Sequence, residues 1–161
     1  MAEPRWLTDD EQRVWRAFLA AVLPLFDHLD RELMRAVGLP RAHYQILAML
    51  SEAPARTLRM GELASQTRQS RSRLSHAVDR LEDKGFVRRV SCPGDKRGAF
   101  AELTGTGFAV LESAAPSHVE TVRQVLFERL TAAQVRCLGA ISATVAAHLA
   151  AADAAAQSAD R

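Results

Sequence analysis

Cysteine, lysine and aromatic residues are all scarce in this chain. Its two cysteines, Cys92 and Cys137, stand too far apart to form a zinc-ligand motif, and a reducing compartment disfavours a structural disulfide. They read as one small buried residue and one incidental surface thiol. Cations flank Cys92 and would lower a thiol pKa, so a redox-responsive role is the alternative. Lys84 and Lys96 are the only lysines among 21 basic residues, so arginine carries the positive charge. No Gly-rich phosphate loop, nucleophile elbow or metal-ligand spacing occurs, which predicts no enzyme, no cofactor and no metal. Asp9, Asp10 and Glu11 read as helix-capping charges rather than catalytic carboxylates. No apolar run is expected to reach bilayer-spanning length and the N-terminus lacks a signal pattern, so the expectations are no membrane partner and a cytoplasmic protein.

The 161 residues are 48% hydrophobic and 25% charged, the balance of a folded chain, and are read as a single domain over 1–161. Thr8 and Glu11 form a capping box ahead of an apolar stripe, Trp15, Phe18, Val22, Leu25, Leu29 and Leu33, that marks a long amphipathic helix with a kink at Pro24. A second helix follows from about Pro40 to Ser51. Near the C-terminus, Phe108, Leu111, Ala115, Val119, Val122, Leu126 and Leu130 mark another long helix, interrupted at Pro116. A Thr131–Gln134 capping box then launches a last one with Val135, Leu138, Ile141, Val145 and Leu149. The predicted fold is mainly α, with a small β-hairpin.

The centre of the chain differs from its ends. Net charge is only +2, yet from Ala53 to Gly98 eleven cations face five anions, a local +6 that leaves −4 elsewhere. That asymmetry is the footprint of phosphate contact. Within it, Met60–Gln66 reads as a short helix, Thr67-Arg68-Gln69 as a polar turn, and Ser70–Lys84 as a second helix stopped by Gly85. A hairpin follows, with a turn near Pro93-Gly94 and a return run from Ala99 to Leu103. The second helix places Leu74, Ala77, Val78 and Leu81 on one face and Ser70, Arg71, Ser72, Arg73, Ser75, His76 and Arg80 on the rest, the arrangement a recognition helix needs for base edges. Lys96 and Arg97 on the wing are candidates for the minor groove, with Asp95 placed either to orient a guanidinium or to bond its own turn. A lone exposed arginine is ordinarily just solvated; the constellation is what carries the reading.

Leu63-Ala64, Ser72, the run Val78-Asp79-Arg80-Leu81-Glu82-Asp83-Lys84-Gly85-Phe86-Val87, then Asp95-Lys96-Arg97 and Leu103-Thr104-Gly105-Thr106-Gly107 resemble the multiple-antibiotic-resistance regulator (MarR) family. The resemblance implies an α+β winged helix-turn-helix, with residues 39–104 binding duplex DNA and residues 6–37 and 105–155 forming a homodimer. It implies a ligand-responsive repressor of a pseudo-palindromic operator, with Arg97 in the minor groove and Arg73, Ser75, His76 and Arg80 facing the operator. His76 stands where many members carry Arg.

The resemblance also implies a small aromatic or phenolic effector bound between the dimerisation helices and the winged part. Trp15, His28, Arg31, His43 and Tyr44 are the candidates to line such a cleft, although Trp15 and Tyr44 read equally as core aromatics. Asp27, His28 and His43 could meet in space, but no histidine pair shares a helix face, which disfavours a metal-responsive regulator. Neither cysteine lies on the N-terminal helix where a peroxide-sensing relative would carry it. The rival reading by class is a winged-helix protein-interaction module that never touches DNA.

Overall fold

A computed structural model describes the backbone of residues 4–92 and 95–159, and their side chains except at 92, 95–98, 154 and 156–159. The Pro93-Gly94 turn lies outside the described residues, as do the side chains of Cys92, Asp95, Lys96 and Arg97.

Helix α1 (Asp9–Val37) begins at the foreseen capping box: the Glu11 amide donates to Thr8 Oγ1 at 3.3 Å and the Thr8 amide to Glu11 Oε2 at 2.8 Å. These bonds hold the Glu11 carboxyl below its ordinary pKa. Pro24 sits inside α1 without dividing it. Gly38 closes the helix with φ +66°, the left-handed conformation that a side chain disfavours. The chain turns at once into α2 (Arg41–Glu52), whose first amide donates to Asp30 Oδ1 at 2.6 Å, so a carboxylate of α1 satisfies an otherwise orphaned donor.

Three helices and a small sheet share one core. Ile46, Leu47 and Leu50 come from α2, Leu63 from α3 (Met60–Gln66), and Leu74, Val78 and Leu81 from α4 (Arg71–Asp83). Val87 of β2 (Val87–Cys92) and Leu103 of β3 (Asp95–Leu103) close the core from the hairpin. Each such side chain, fully buried, contributes about 2 kcal/mol relative to exposure. The sheet has a strand that the sequence pattern does not announce: β1 (Thr57–Arg59) pairs antiparallel with β3, Leu58 opposite Ala101, in the order β1-β3-β2. Three residues are too few to display a period of two. β3 also begins earlier than the expected return run at Ala99.

The Leu103–Gly107 segment locks the hairpin to the next helix, α5 (Gly105–Val125). Thr104 Oγ1 donates to the Gly85 carbonyl at 2.7 Å and accepts from the Gly107 amide at 3.0 Å, while the Thr104 amide donates to the Phe86 carbonyl at 3.0 Å. Gly107 is buried so tightly that a Cβ there would overlap the Phe86 carbonyl oxygen. Threonine and glycine at this spacing therefore let backbone meet backbone.

By contact density the chain divides into two compact units, the first ending at Thr121 and the second beginning at Val122. In the second, α6 (Ala132–Ala159) starts at the expected capping box, the Gln134 amide donating to Thr131 Oγ1 at 3.3 Å and the Thr131 amide to Gln134 Oε1 at 2.9 Å. One expectation fails here. Ala132–Asp153 is long and apolar enough to cross a membrane by length and composition, with a mean hydropathy of 1.4. Alanine supplies much of that value, and a methyl group counts as apolar while burying little area. The larger groups on α6, Ile141, Val145 and Leu149, are exposed in the single chain.

Gly107→Ala is expected to cost about 3 kcal/mol through overpacking against backbone, lowering Tm by roughly 10 °C. Gly61→Ala, where nothing lies within 4 Å of the added methyl, is the thermal-denaturation control and should leave Tm nearly unchanged.

Candidate nucleic-acid interface

The helix-turn-helix is built from backbone accounting. Thr67, buried, donates from Oγ1 to the Leu63 carbonyl at 2.7 Å, and the Gln69 amide donates to the Ala64 carbonyl at 3.0 Å, which ends α3. Arg68 turns the chain with φ 54°. Ser70 then caps α4, its Oγ accepting from the Arg73 amide at 3.3 Å and lying 3.2 Å from Ser72 Oγ.

Leu74, Ala77, Val78 and Leu81 are buried, and Arg71, Ser72, Arg73, His76 and Arg80 project into solvent from the other side. His76 Nδ1 is 3.8 Å from Asp79 Oδ2. Ser75 differs from its neighbours: it is half-buried, and both its carbonyl and its Oγ accept from Arg89 Nη2 at 3.2 Å. An open hollow of about 460 Å³ lies beside this face, rimmed by Arg59, Glu62, Arg71 and Arg89.

The eleven cations of the basic segment are not equivalent. Arg88 is held by Glu102 through Nε at 3.0 Å and Nη2 at 2.7 Å; those bonds raise the Arg88 pKa and lower that of Glu102. Arg89 Nη1 lies 2.6 Å from Asp79 Oδ1 and 2.8 Å from Glu82 Oε2. Burial works against the Arg89 charge, and the bonds to Asp79 and Glu82 outweigh it, holding the guanidinium above its ordinary pKa. The guanidinium of Arg56 packs 3.7 Å from the Phe108 ring centroid, and that of Arg59 lies 5.3 Å from Phe100. Neither the Arg89 network nor the aromatic seats are visible in sequence, because their partners lie on other elements.

The five candidate cleft residues occupy different settings. Trp15 is exposed and stacks on Phe18 at 6.0 Å; from it, His28 lies roughly 20 Å along the helix axis. Arg31 is exposed. Tyr44 packs against His118 of α5, ring centroids 4.7 Å apart, while Arg41 lies over the Phe26 ring at 4.7 Å. Burial and then the charge of Arg41 push the His118 pKa down, and burial pushes that of Tyr44 up. His118 is thus a ring partner of Tyr44, with the Arg41 charge acting on it, and neither is among the candidates read from the sequence. Among the described residues no group of three His, Cys, Asp or Glu side chains could hold a metal ion, so Asp27, His28 and His43 do not meet as a ligand set.

His43 is buried, with no hydrogen-bond partner at Nδ1. Burial, then Lys84 and Arg80, push its pKa below the ordinary 6.5. The folded imidazole therefore binds its proton only at a pH where the unfolded chain already holds one, and stability falls as pH drops through 6.5. Tm is expected to decrease between about pH 7.5 and 5.5, and to decrease less in His43→Gln. An equal decrease in the variant would move the effect to another group, His118 first.

The MarR family model matches residues 37–98. The HTH-type transcriptional repressor YetL of Bacillus subtilis is 31% identical over 114 residues, 67% of this chain and 68% of the relative. The multiple antibiotic resistance protein MarR of Escherichia coli is 30% identical over 112 residues, 70% of this chain and 76% of the relative. The alignments thus span about two thirds to three quarters of these curated relatives. Among solved structures, Sco3205 of Streptomyces coelicolor, a MarR family transcriptional regulator crystallised with DNA, superposes with a TM-score of 0.86 at 55% identity, covering 89% of this chain and 90% of the other. AbsC from the same organism gives 0.84 at 39% identity, covering 91% and 98%. The buried and exposed faces of α4, the three-stranded winged sheet and these likenesses agree: the chain belongs to the MarR family of transcriptional regulators.

Proposed function

We propose that this regulator reads duplex DNA as a homodimer, each copy laying α4 in the major groove with the β2–β3 wing beside it. The observation that carries the reading is the division of α4 into a buried apolar face and a solvent face bearing Arg71, Ser72, Arg73, His76 and Arg80. Arginine there can bond guanine bidentately, and Ser70 and the other polar groups can take phosphates or base edges. On this reading Lys96 and Arg97 reach the minor groove, Asp95 orients the wing, and residues 39–104 form the DNA-binding part. The homology with a regulator solved on DNA at 55% identity supports it.

A second copy accounts for the apolar surface. Along α1, Trp15, Phe18 and Phe26 are exposed, and on α6 so are Ile141, Val145 and Leu149. Stripes of this kind need cover, and a twofold partner is the commonest solution. Residues 6–37 and 105–155 are the segments proposed to supply it. A small aromatic or phenolic acid is the proposed effector: Tyr44 and His118 offer ring faces and Arg41 a nearby cation. Its binding would repress or release DNA by changing the separation of the two α4 helices.

Titration of a duplex across salt concentrations tests the DNA reading. Neutralising about six phosphates predicts a log–log slope near −5, and Arg73→Ala should cost about 1–3 kcal/mol at one base position per half-site. Salt-independent binding would contradict DNA contact, and a uniform loss across sequences would make Arg73 a phosphate contact.

A further inference from the structure

Arg89 sits on β2, the strand leading into the wing, yet its side chain turns back onto α4. Its partners Ser75, Asp79 and Glu82 are spaced i, i+4, i+7, one stripe over successive turns of the helix. The Arg89 amide adds a bond to Glu82 Oε1 at 2.8 Å, so Glu82 is gripped by backbone and side chain of the same residue. The next residue back, Arg88, points to the opposite face of the strand and pairs with Glu102 across the sheet. That pair is exposed, the guanidinium side chain at 64%, and such pairs contribute little. The Arg89 side chain is 29% exposed and its ion pairs are correspondingly less screened.

Two consequences follow for a helix that must face phosphates. Rotation of α4 about its axis is fixed relative to the wing strand. The two carboxylates on its flank, Asp79 and Glu82, share one cation drawn from beneath, which halves their combined charge. Without that cation, two negative charges would stand on the element nearest the DNA, and like charges across an interface weaken association. Ser75 Oγ is engaged by the same guanidinium, although the sequence alone assigns it to the operator.

We propose that Arg89 is a positioning residue for DNA reading, which ties the wing strand to two turns of α4 and withdraws Asp79 and Glu82 from the face the operator meets. This rests on the DNA reading above. A planar fork is required, because a lysine ammonium is a single point that cannot span Ser75 and Glu82 together.

The test uses the full chain and three variants: Arg89→Met, Arg89→Lys, and Arg89→Met combined with Asp79→Asn and Glu82→Gln. Affinity for a selected operator and for a random duplex is measured across salt, and amide exchange along α4 and β2 is measured in the free protein. Arg89→Met should weaken both duplexes about tenfold, and the triple variant should return to within about threefold of the parent for the random duplex. Arg89→Lys should retain random-duplex affinity, lose discrimination in favour of the operator, and exchange faster along α4. A triple variant as weak as Arg89→Met, with the salt slope shallower by about one, would make Arg89 a direct phosphate contact and overturn the proposal. Unchanged affinity in all variants would overturn it as well. Should the parent bind no duplex, the DNA reading fails by itself. Exchange then still decides the clamp, since unaltered protection of α4 in Arg89→Lys contradicts it.

Discussion

Leu74, Ala77, Val78 and Leu81 hold α4 in a core shared with α2, α3 and the hairpin. A helix repeats every 3.6 residues, so burying this stripe commits Arg71, Arg73, His76 and Arg80 to solvent with no freedom to rotate inwards. The same burial sets the position of every neighbour: the Thr67 turn before α4, the Arg89 contacts along its flank, and the Thr104–Gly107 lock that carries the hairpin into α5. Losing the stripe would remove the reading face and the wing's reference frame together.

Charge is then distributed over that frame by role. Arg89 and Arg88 face carboxylates, Arg56 and Arg59 lie over aromatic rings, and Lys84 Nζ lies 3.5 Å from the Gly38 carbonyl at the end of α1. The local excess of six positive charges in the sequence is therefore not a uniform coat. Part of it is structural, and α4 carries a dense exposed remainder. A protein with a net charge of only +2 can in this way present a strongly cationic face, because the compensating anions lie at the chain's two ends.

Much of this was legible in the residues. Capping boxes at Thr8 and Thr131 and the apolar face of α4 depend on neighbours within a few positions, and each appears as read. What was not legible depends on distant partners. β1 is too short to show alternation, Ser75 looks like any polar residue of α4 until Arg89 is placed beside it, and His43 gives no sign of its burial. Nor could position along α1 and α2 reveal that His118 comes from another helix to meet Tyr44. Hydropathy along α6 escaped because alanine, one residue at a time, does not look like a long apolar run.

Selection of bound DNA from a random duplex library at physiological salt tests the central claim most directly. A dimer presenting two α4 helices predicts enrichment of an inverted repeat with half-sites centred about 10 base pairs apart. A folded dimer that enriches no sequence would contradict the assignment of α4 as the element that reads DNA.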